Sequence, residues 1–196
     1  SLVPTMGALH SGHQSLIRRA AAPAAEGSAA QVLVSVFVNP LQFGPSEDFA
    51  RYPRTLEQDA ELAAAAGATA LFAPSLEDLY PEGDMELTRL VPPASLQQVL
   101  CGRHRPGHFN GVATVVMRLL GLIRPDQLLL GEKDWQQLVI LRRVIADLGV
   151  PVQVVGCPTQ REPDGLALSS RNRYLSAEER QRAGALPRAL QAAQAN

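Results

Sequence analysis

Lysine is almost missing from this chain. Of its 196 residues eighteen are basic, and Lys133 alone among them is lysine rather than arginine. Codon bias accounts for abundant arginine, so the informative residue is the one position that departs from it. Cysteine is scarce as well: Cys101 and Cys157 stand far apart with no paired spacing, which excludes a disulfide framework and a metal knuckle and fits a reducing cytosol. No apolar run is long enough to span a bilayer, and the N-terminus has no basic stretch leading into a hydrophobic one. Charge of one sign is not in excess either. The net charge is -1, so long-range attraction to nucleic acid or an anionic membrane is not expected. Neither a P-loop nor a GxGxxG fingerprint occurs, which argues against a kinase or a dehydrogenase.

What is present is an ordinary globular composition, 46% hydrophobic and 19% charged, in a length that suits one well-packed domain. Short β-branched runs alternate with helical patterns. QVLVSVFV (31–38), ATALFAP (68–74), DQLLLG (126–131) and VPVQVVG (150–156) read as buried parallel strands, and SLVP reads as the tail of a first strand. Between them HQSLIRRAAA, TLEQDAELAAAAG, GVATVVMRLLGLI and DWQQLVILRRVIADLG have helical periodicity, the second and fourth closed by glycine. The alternation predicts an α/β fold, a parallel sheet with helices on both faces. A capping box at Ser176 to Glu179 opens a further, alanine-rich helix. Open parallel sheets bind ligands beyond the carboxyl ends of their strands, and polar, glycine-containing turns follow three of these: TMGALHSGH, NPLQFGPSED and GEKDWQQ.

In the first turn, Gly7 and Gly12 would let the backbone approach a ligand, and Ser11 or Gly12 can start a helix whose N–H groups favour an anion. His10 and His13, at i and i+3, would share one side of that helix and donate to phosphate oxygens. The bland alternative is a capping histidine beside a surface one. A zinc site lacks a third ligand, because His104 and His108 stand in another loop. In GEKDWQQL, the compact ammonium of Lys133 suits a flexible polyphosphate better than a rigid guanidinium does. Asp134 is the expected N-cap there, and either Gln136 or Gln137 can face the cleft. The alternative is an exposed Glu132–Lys133 pair.

In DGLALSSRNRYLS, the run Ser169, Ser170, Arg171 follows a short strand and reads either as a phosphate clamp or as a polar turn; no GxSxG elbow marks a serine nucleophile. FVNPLQF sets Asn39 and Gln42 around Pro40, which holds Asn39 extended. RHRPGHF clusters cations around Gly107, as a lid over anions or as a solvated loop. Taken together these features describe a site for a nucleotide attacked at its α-phosphate, with no cluster of carboxylates to cage a metal.

The motifs PTMGALHSGH, VSVFVNPLQFGPSEDFARYPRT, RPGHFNGVATVV, GEKDWQQL and DGLALSSRNRYLS, in that order, resemble the signatures of the pantoate-β-alanine ligase (pantothenate synthetase) family. HSGH is similar to the HxGH element of the wider nucleotidyltransferase superfamily. The resemblance implies a Rossmann-like ATP- and pantoate-binding domain over residues 1–185, with residues 186–196 beginning a smaller C-terminal domain that is otherwise missing. Cyanobacterial members of the family resemble the first half of a fusion with cytidylate kinase. The implied activity joins pantoate to β-alanine through pantoyl adenylate, using ATP with Mg2+ and releasing AMP and pyrophosphate, in a cytoplasmic homodimer.

Residue by residue, the resemblance implies that Met6, Gly7, Ala8, Leu9, His10, Ser11, Gly12 and His13 hold ATP, with His13 in the proton-donor position and His10 its partner on the triphosphate. Lys133 joins the two histidines as catalytic. Gly131, Glu132 and Asp134 beside it, the run Leu168, Ser169, Ser170 and Arg171, and the backbone of Gln160 match further ATP contacts, while Gln42 and Gln137 match glutamines that hold pantoate, Gln42 also near β-alanine. Trp135 stands where tyrosine or phenylalanine is more usual. Two rival readings stay open: another HxGH nucleotidyltransferase, and an ATP-binding module that is idle without the C-terminal domain.

Overall fold

The computed structural model describes residues 1–22, 31–83 and 85–194. Five parallel strands form one sheet: β1 (Leu2–Thr5), β2 (Leu33–Val36), β3 (Ala70–Phe72), β4 (Gln127–Gly131) and β5 (Gln153–Cys157), in the order β3-β2-β1-β4-β5. The α/β reading of the sequence holds. Strands β2 to β5 are each shorter than their apolar runs, for local reasons. Pro151 has no N–H to give to a ladder, so the run from 150 joins the sheet only at Gln153. Val32 stays outside β2, its N–H donating to the Thr69 hydroxyl at 2.9 Å.

Helices cover both faces. On one side lie α1 (Ser11–Ala21) and α2 (Leu56–Ala65), where Ile17, Ala20 and Ala63 pack on Val3, Val34 and Leu129. After β3 come three single turns, α3 (Leu76–Leu79), α4 (Ala94–Gln97) and α5 (Leu100–His104). The other face is covered by α6 (His108–Ile123) and α7 (Trp135–Asp147), whose Val112, Val116, Leu138 and Leu141 pack on Leu2, Leu128 and Leu130. Neighbours in one strand thus enter opposite cores, Leu2 and Val3 for example, which is why the strands read as unbroken apolar runs. The chain continues through α8 (Ala177–Ala183) and α9 (Ala185–Gln194). The final segment expected from residue 186 lies within α9 for its described part, and residues 195–196 lie outside the described ones.

Several local expectations hold and some are corrected. Gly67 and Gly149 follow α2 and α7 in the left-handed conformation, at φ +100 and +61, where a side chain would be strained. Ser176 and Glu179 form the capping box. The stretch RHRPGHF is not loop throughout, because Gly107 at φ +81 turns the chain into α6 and His108 and Phe109 already belong to its first turn. The short strand expected before Ser169 is a single antiparallel bridge, Arg161 to Ala167. Asp134 stands at the N-cap of α7, but its carboxylate caps no N–H and accepts from Lys133.

The strand order reverses between β1 and β4, so the loops after these two strands open a crevice at the carboxyl edge. The turn after β2 lines it too, because α6 lies against the Pro40–Gln42 3-10 turn at Gly111. A methyl group at Gly111 would collide with the Leu41 carbonyl and the Gln42 amide. Gly111→Ala is therefore expected to lower stability by about 1–3 kcal/mol, as over-packing does. Urea unfolding with an unchanged midpoint would contradict this close approach.

Candidate active site

The crevice is a cleft of about 260 Å³, and most of the residues singled out in the sequence line it. Met6, His10, Gly12 and His13 come from the β1–α1 connection, Gln42 from the turn after β2, and Gly131, Lys133, Asp134 and Gln137 from the end of β4 and the start of α7. Gln160, Leu168, Ser169, Ser170 and Arg171 close the far side. Of the paired glutamines, Gln137 faces the cleft. Gln136 turns away, donating to the Leu96 and Val99 carbonyls at 2.9 and 2.7 Å.

Five expected contacts do not line the cleft. Gly7, Ala8 and Leu9 are buried behind it, Ser11 is exposed at the helix start, and the Glu132 carboxylate lies over Gly156. The glycines also serve the protein's own packing. A side chain at Gly7 would strike Asp59 and Val36, and one at Gly12 would strike the His10 ring. Lys133 pairs with Asp134 at 3.4 Å rather than with Glu132.

The N-terminus of α1 is capped by histidine. Gly12 N–H donates to His10 Nδ1 at 3.1 Å, and His10 N–H donates to His13 Nδ1 at 3.2 Å. A ring nitrogen that accepts carries no hydrogen, so both imidazoles hold their proton on Nε2. The rings lie 4.1 Å apart, centroid to centroid. The helix therefore spends backbone donors on the histidines and offers imidazole N–H groups in their place, which amends the expectation of free backbone amides.

Asp59 was not singled out in the sequence, and it holds this arrangement. It is 1% exposed, and its carboxylate accepts Ala8 N–H at 3.0 Å, Leu9 N–H at 2.7 Å and the Thr55 hydroxyl at 3.2 Å. The available signal was an acid within the alanine-rich pattern of α2, one turn after its threonine N-cap.

The acidic pair of GPSED was also missed. Arg171 donates to both Asp48 carboxylate oxygens at 2.8 Å and stacks on the Tyr52 ring, and Arg105 grips Glu47 through two nitrogens. The arginine bonds hold both carboxyls below the usual carboxylate range. Within RHRPGHF, Arg105 and His108 Nδ1 both donate to the Gln42 carbonyl and fasten that turn, while Arg103, His104, Pro106 and Gly107 are exposed. Ser170 shares a 3.1 Å hydrogen bond with the buried Tyr52 hydroxyl, and Ser169 Oγ accepts Arg171 N–H. The serines shape the clamp more than they supply donors to it.

A family model described as pantoate-beta-alanine ligase matches residues 1–196. The chain belongs to the pantoate-beta-alanine ligase family. It is 63% identical over 189 residues to the bifunctional pantoate ligase/cytidylate kinase of Synechococcus sp. (strain RCC307), an alignment that covers 96% of this chain and 36% of that protein. The pantothenate synthetase of Thermus thermophilus has a solved structure similar at TM-score 0.89 and 55% identity, covering 96% of this chain and 66% of that one. A pantoate-beta-alanine ligase from Francisella tularensis, solved in complex with beta-gamma ATP and beta-alanine, matches at TM-score 0.87 and 42% identity over 97% of this chain and 70% of its own. The chain thus spans little more than a third of the bifunctional relative.

In this family member the electrostatics of the two histidines follow from burial. Burial, then the neighbouring His10, then the Lys133 charge push His13 down to about 3, and burial and Lys133 lower His10 as well. Both are therefore neutral donors at neutral pH, not imidazolium acids. For stability the sign is clear: between about 6.5 and 3 the unfolded chain binds a proton at His13 that the folded chain does not. Stability should fall as pH drops through that window, and less steeply in His13→Gln. Nitrogen-15 NMR of the wild-type chain at pH 5 should show His13 neutral with its proton on Nε2, and a charged ring would contradict the capping geometry.

Proposed function

We propose that this chain provides the site for ATP-dependent condensation of (R)-pantoate with β-alanine, through pantoyl adenylate, releasing AMP and pyrophosphate. One observation carries the reading: two neutral imidazole N–H donors, the lone lysine and the Arg171 guanidinium share one cleft with the amides of Gln42 and Gln137. Membership of the ligase family and the ligand-bound Francisella relative support it.

In the first step a pantoate carboxylate oxygen attacks the α-phosphorus of ATP in line. A new P–O bond forms, the bond to the leaving pyrophosphate breaks, and negative charge builds on the α-phosphoryl oxygens and the leaving group. His10 and His13 donate to that charge as neutral hydrogen-bond donors, and Lys133 follows it on its flexible stem. Gln42 and Gln137 hold pantoate. Gly131, Asp134, Leu168, Ser169 and the backbone of Gln160 hold the nucleotide, while Gly7, Ala8 and Leu9 act from behind by aiming the histidines.

In the second step the β-alanine amine attacks the activated carbonyl, the C–N bond forms, the amine gives up a proton and AMP leaves. No enzyme nucleophile takes part, so the chain contributes position and charge stabilisation. Among the described residues no three His, Cys, Asp or Glu side chains converge as a metal site, and Asp134 and Asp48 are already paired with cations. Mg2+ then arrives on the triphosphate. The same reading includes a cytoplasmic homodimer, and the HSGH segment stands as an HxGH element.

The reaction is tested by pantoate-dependent exchange of pyrophosphate into ATP. His10→Ala, His13→Ala and Lys133→Ala should each lower exchange by about 10² to 10³-fold, the usual loss for one transition-state donor. Wild-type rates in all three variants would overturn the assignment. Exchange that depends on a nucleotide acceptor instead of pantoate would favour another nucleotidyltransferase, and ATP binding without exchange would mean that the site needs further chain. Sedimentation should show a dimer.

A further inference from the structure

We infer that Tyr80 is a positioning residue for this cleft: through Asn39 it sets the Gln42 amide so that its N–H, and not its C=O, meets the ligand. The inference deepens the reading of Gln42 as a pantoate contact, and it rests on that reading for the identity of the ligand.

Tyr80 ends α3, a single turn fixed by a capping box in which Ser75 N–H donates to Asp78 at 2.8 Å and Asp78 N–H donates back to Ser75 Oγ at 3.2 Å. Its ring is buried, edge-on to Phe37 at 6.1 Å, and its hydroxyl donates to Asn39 Oδ1 at 3.0 Å. Asn39 is itself 1% exposed, so each of its polar atoms must find a partner inside the protein.

The partners decide which way that amide points. The Gly111 carbonyl can only accept, so the Asn39 atom 3.2 Å from it is Nδ2. Leu41 N–H can only donate, so it faces Oδ1, but that contact is long at 3.4 Å. Tyr80 supplies the shorter bond and holds Oδ1 against rotation. Asn39 Nδ2 then also donates to Gln42 Oε1 at 3.2 Å.

The acceptor of Gln42 is thereby occupied, and its Nε2 turns to the Met6 sulfur at 3.0 Å on the cleft wall. A thioether is a weak acceptor, so a ligand oxygen can replace it at little cost. The subsite therefore selects a carboxylate or hydroxyl oxygen and rejects an ammonium group. Gln42 is accordingly matched to the oxygens of pantoate and not to the amine of β-alanine.

The test uses the 196-residue chain, wild type and Tyr80→Phe, with two readouts: calorimetric titration with pantoate and with ATP separately, and the side-chain amide signals of Asn39 and Gln42 in nitrogen-15 NMR. Loss of the hydroxyl should shift both amide signals and weaken pantoate binding by about five- to tenfold, the worth of one ordinary hydrogen bond, with ATP affinity unchanged. Unmoved amide signals overturn the inference whatever binding does. Moved signals with pantoate unaffected, or with pantoate and ATP weakened alike, overturn the positioning role. If the wild-type chain takes up no pantoate, the functional reading fails separately, and the amide signals alone decide whether Tyr80 sets Gln42.

Discussion

A buried carboxylate governs the geometry of this cleft. Asp59 reaches from α2 to two consecutive amides of the β1–α1 connection, and those two residues lead directly into the histidine cap of α1. Its charge lies away from water and is satisfied by backbone N–H groups and a threonine hydroxyl. Such charge-assisted bonds are stronger than neutral ones, and removing a partner from a buried charge costs more than the bond is worth in isolation. Ala8 shows what the bonds hold in place, for it adopts φ +49, a left-handed conformation that costs an ordinary residue roughly 1–2 kcal/mol.

Around this centre the rim is closed by arginine–carboxylate pairs. Arg171 and Arg105 close on the adjacent acids Asp48 and Glu47, so one short loop is fastened from two sides of the cleft. Both pairs are bidentate and only partly exposed, a geometry stronger and more specific than an ordinary surface ion pair. Buried, fully bonded groups aim the donors, and bidentate ion pairs close the rim.

The fold was legible because both faces of the sheet are covered, which leaves its strands as apolar runs bounded by glycine and proline. Gly67, Gly149 and the Ser176 box act within a few residues of themselves, and each was correctly placed from sequence. The cleft residues were legible where they sit on turns after strands, as His10, Gln42 and Lys133 do. Asp59, Asp48, Tyr52 and Tyr80 were not. Their partners lie 41 to 123 residues away, and no local period records such a contact. Several glycines and serines of the cleft also bond or pack within the protein, as Gly12 does against the His10 ring and Ser170 with Tyr52, and residue type alone does not show this second role.

The sequence by itself determined the α/β alternation, the family motifs and the set of side chains able to meet a phosphate, because these depend on residue type and on spacing along the chain. Only the tertiary structure decided the rest: that both histidines keep their proton on Nε2, that Gln137 and not Gln136 faces the cleft, and that the Gln42 amide turns its N–H outward. Each of these depends on which polar atom stands opposite another after folding. Burial then enforces the choice, since a donor or acceptor shut away from water must take the partner it meets.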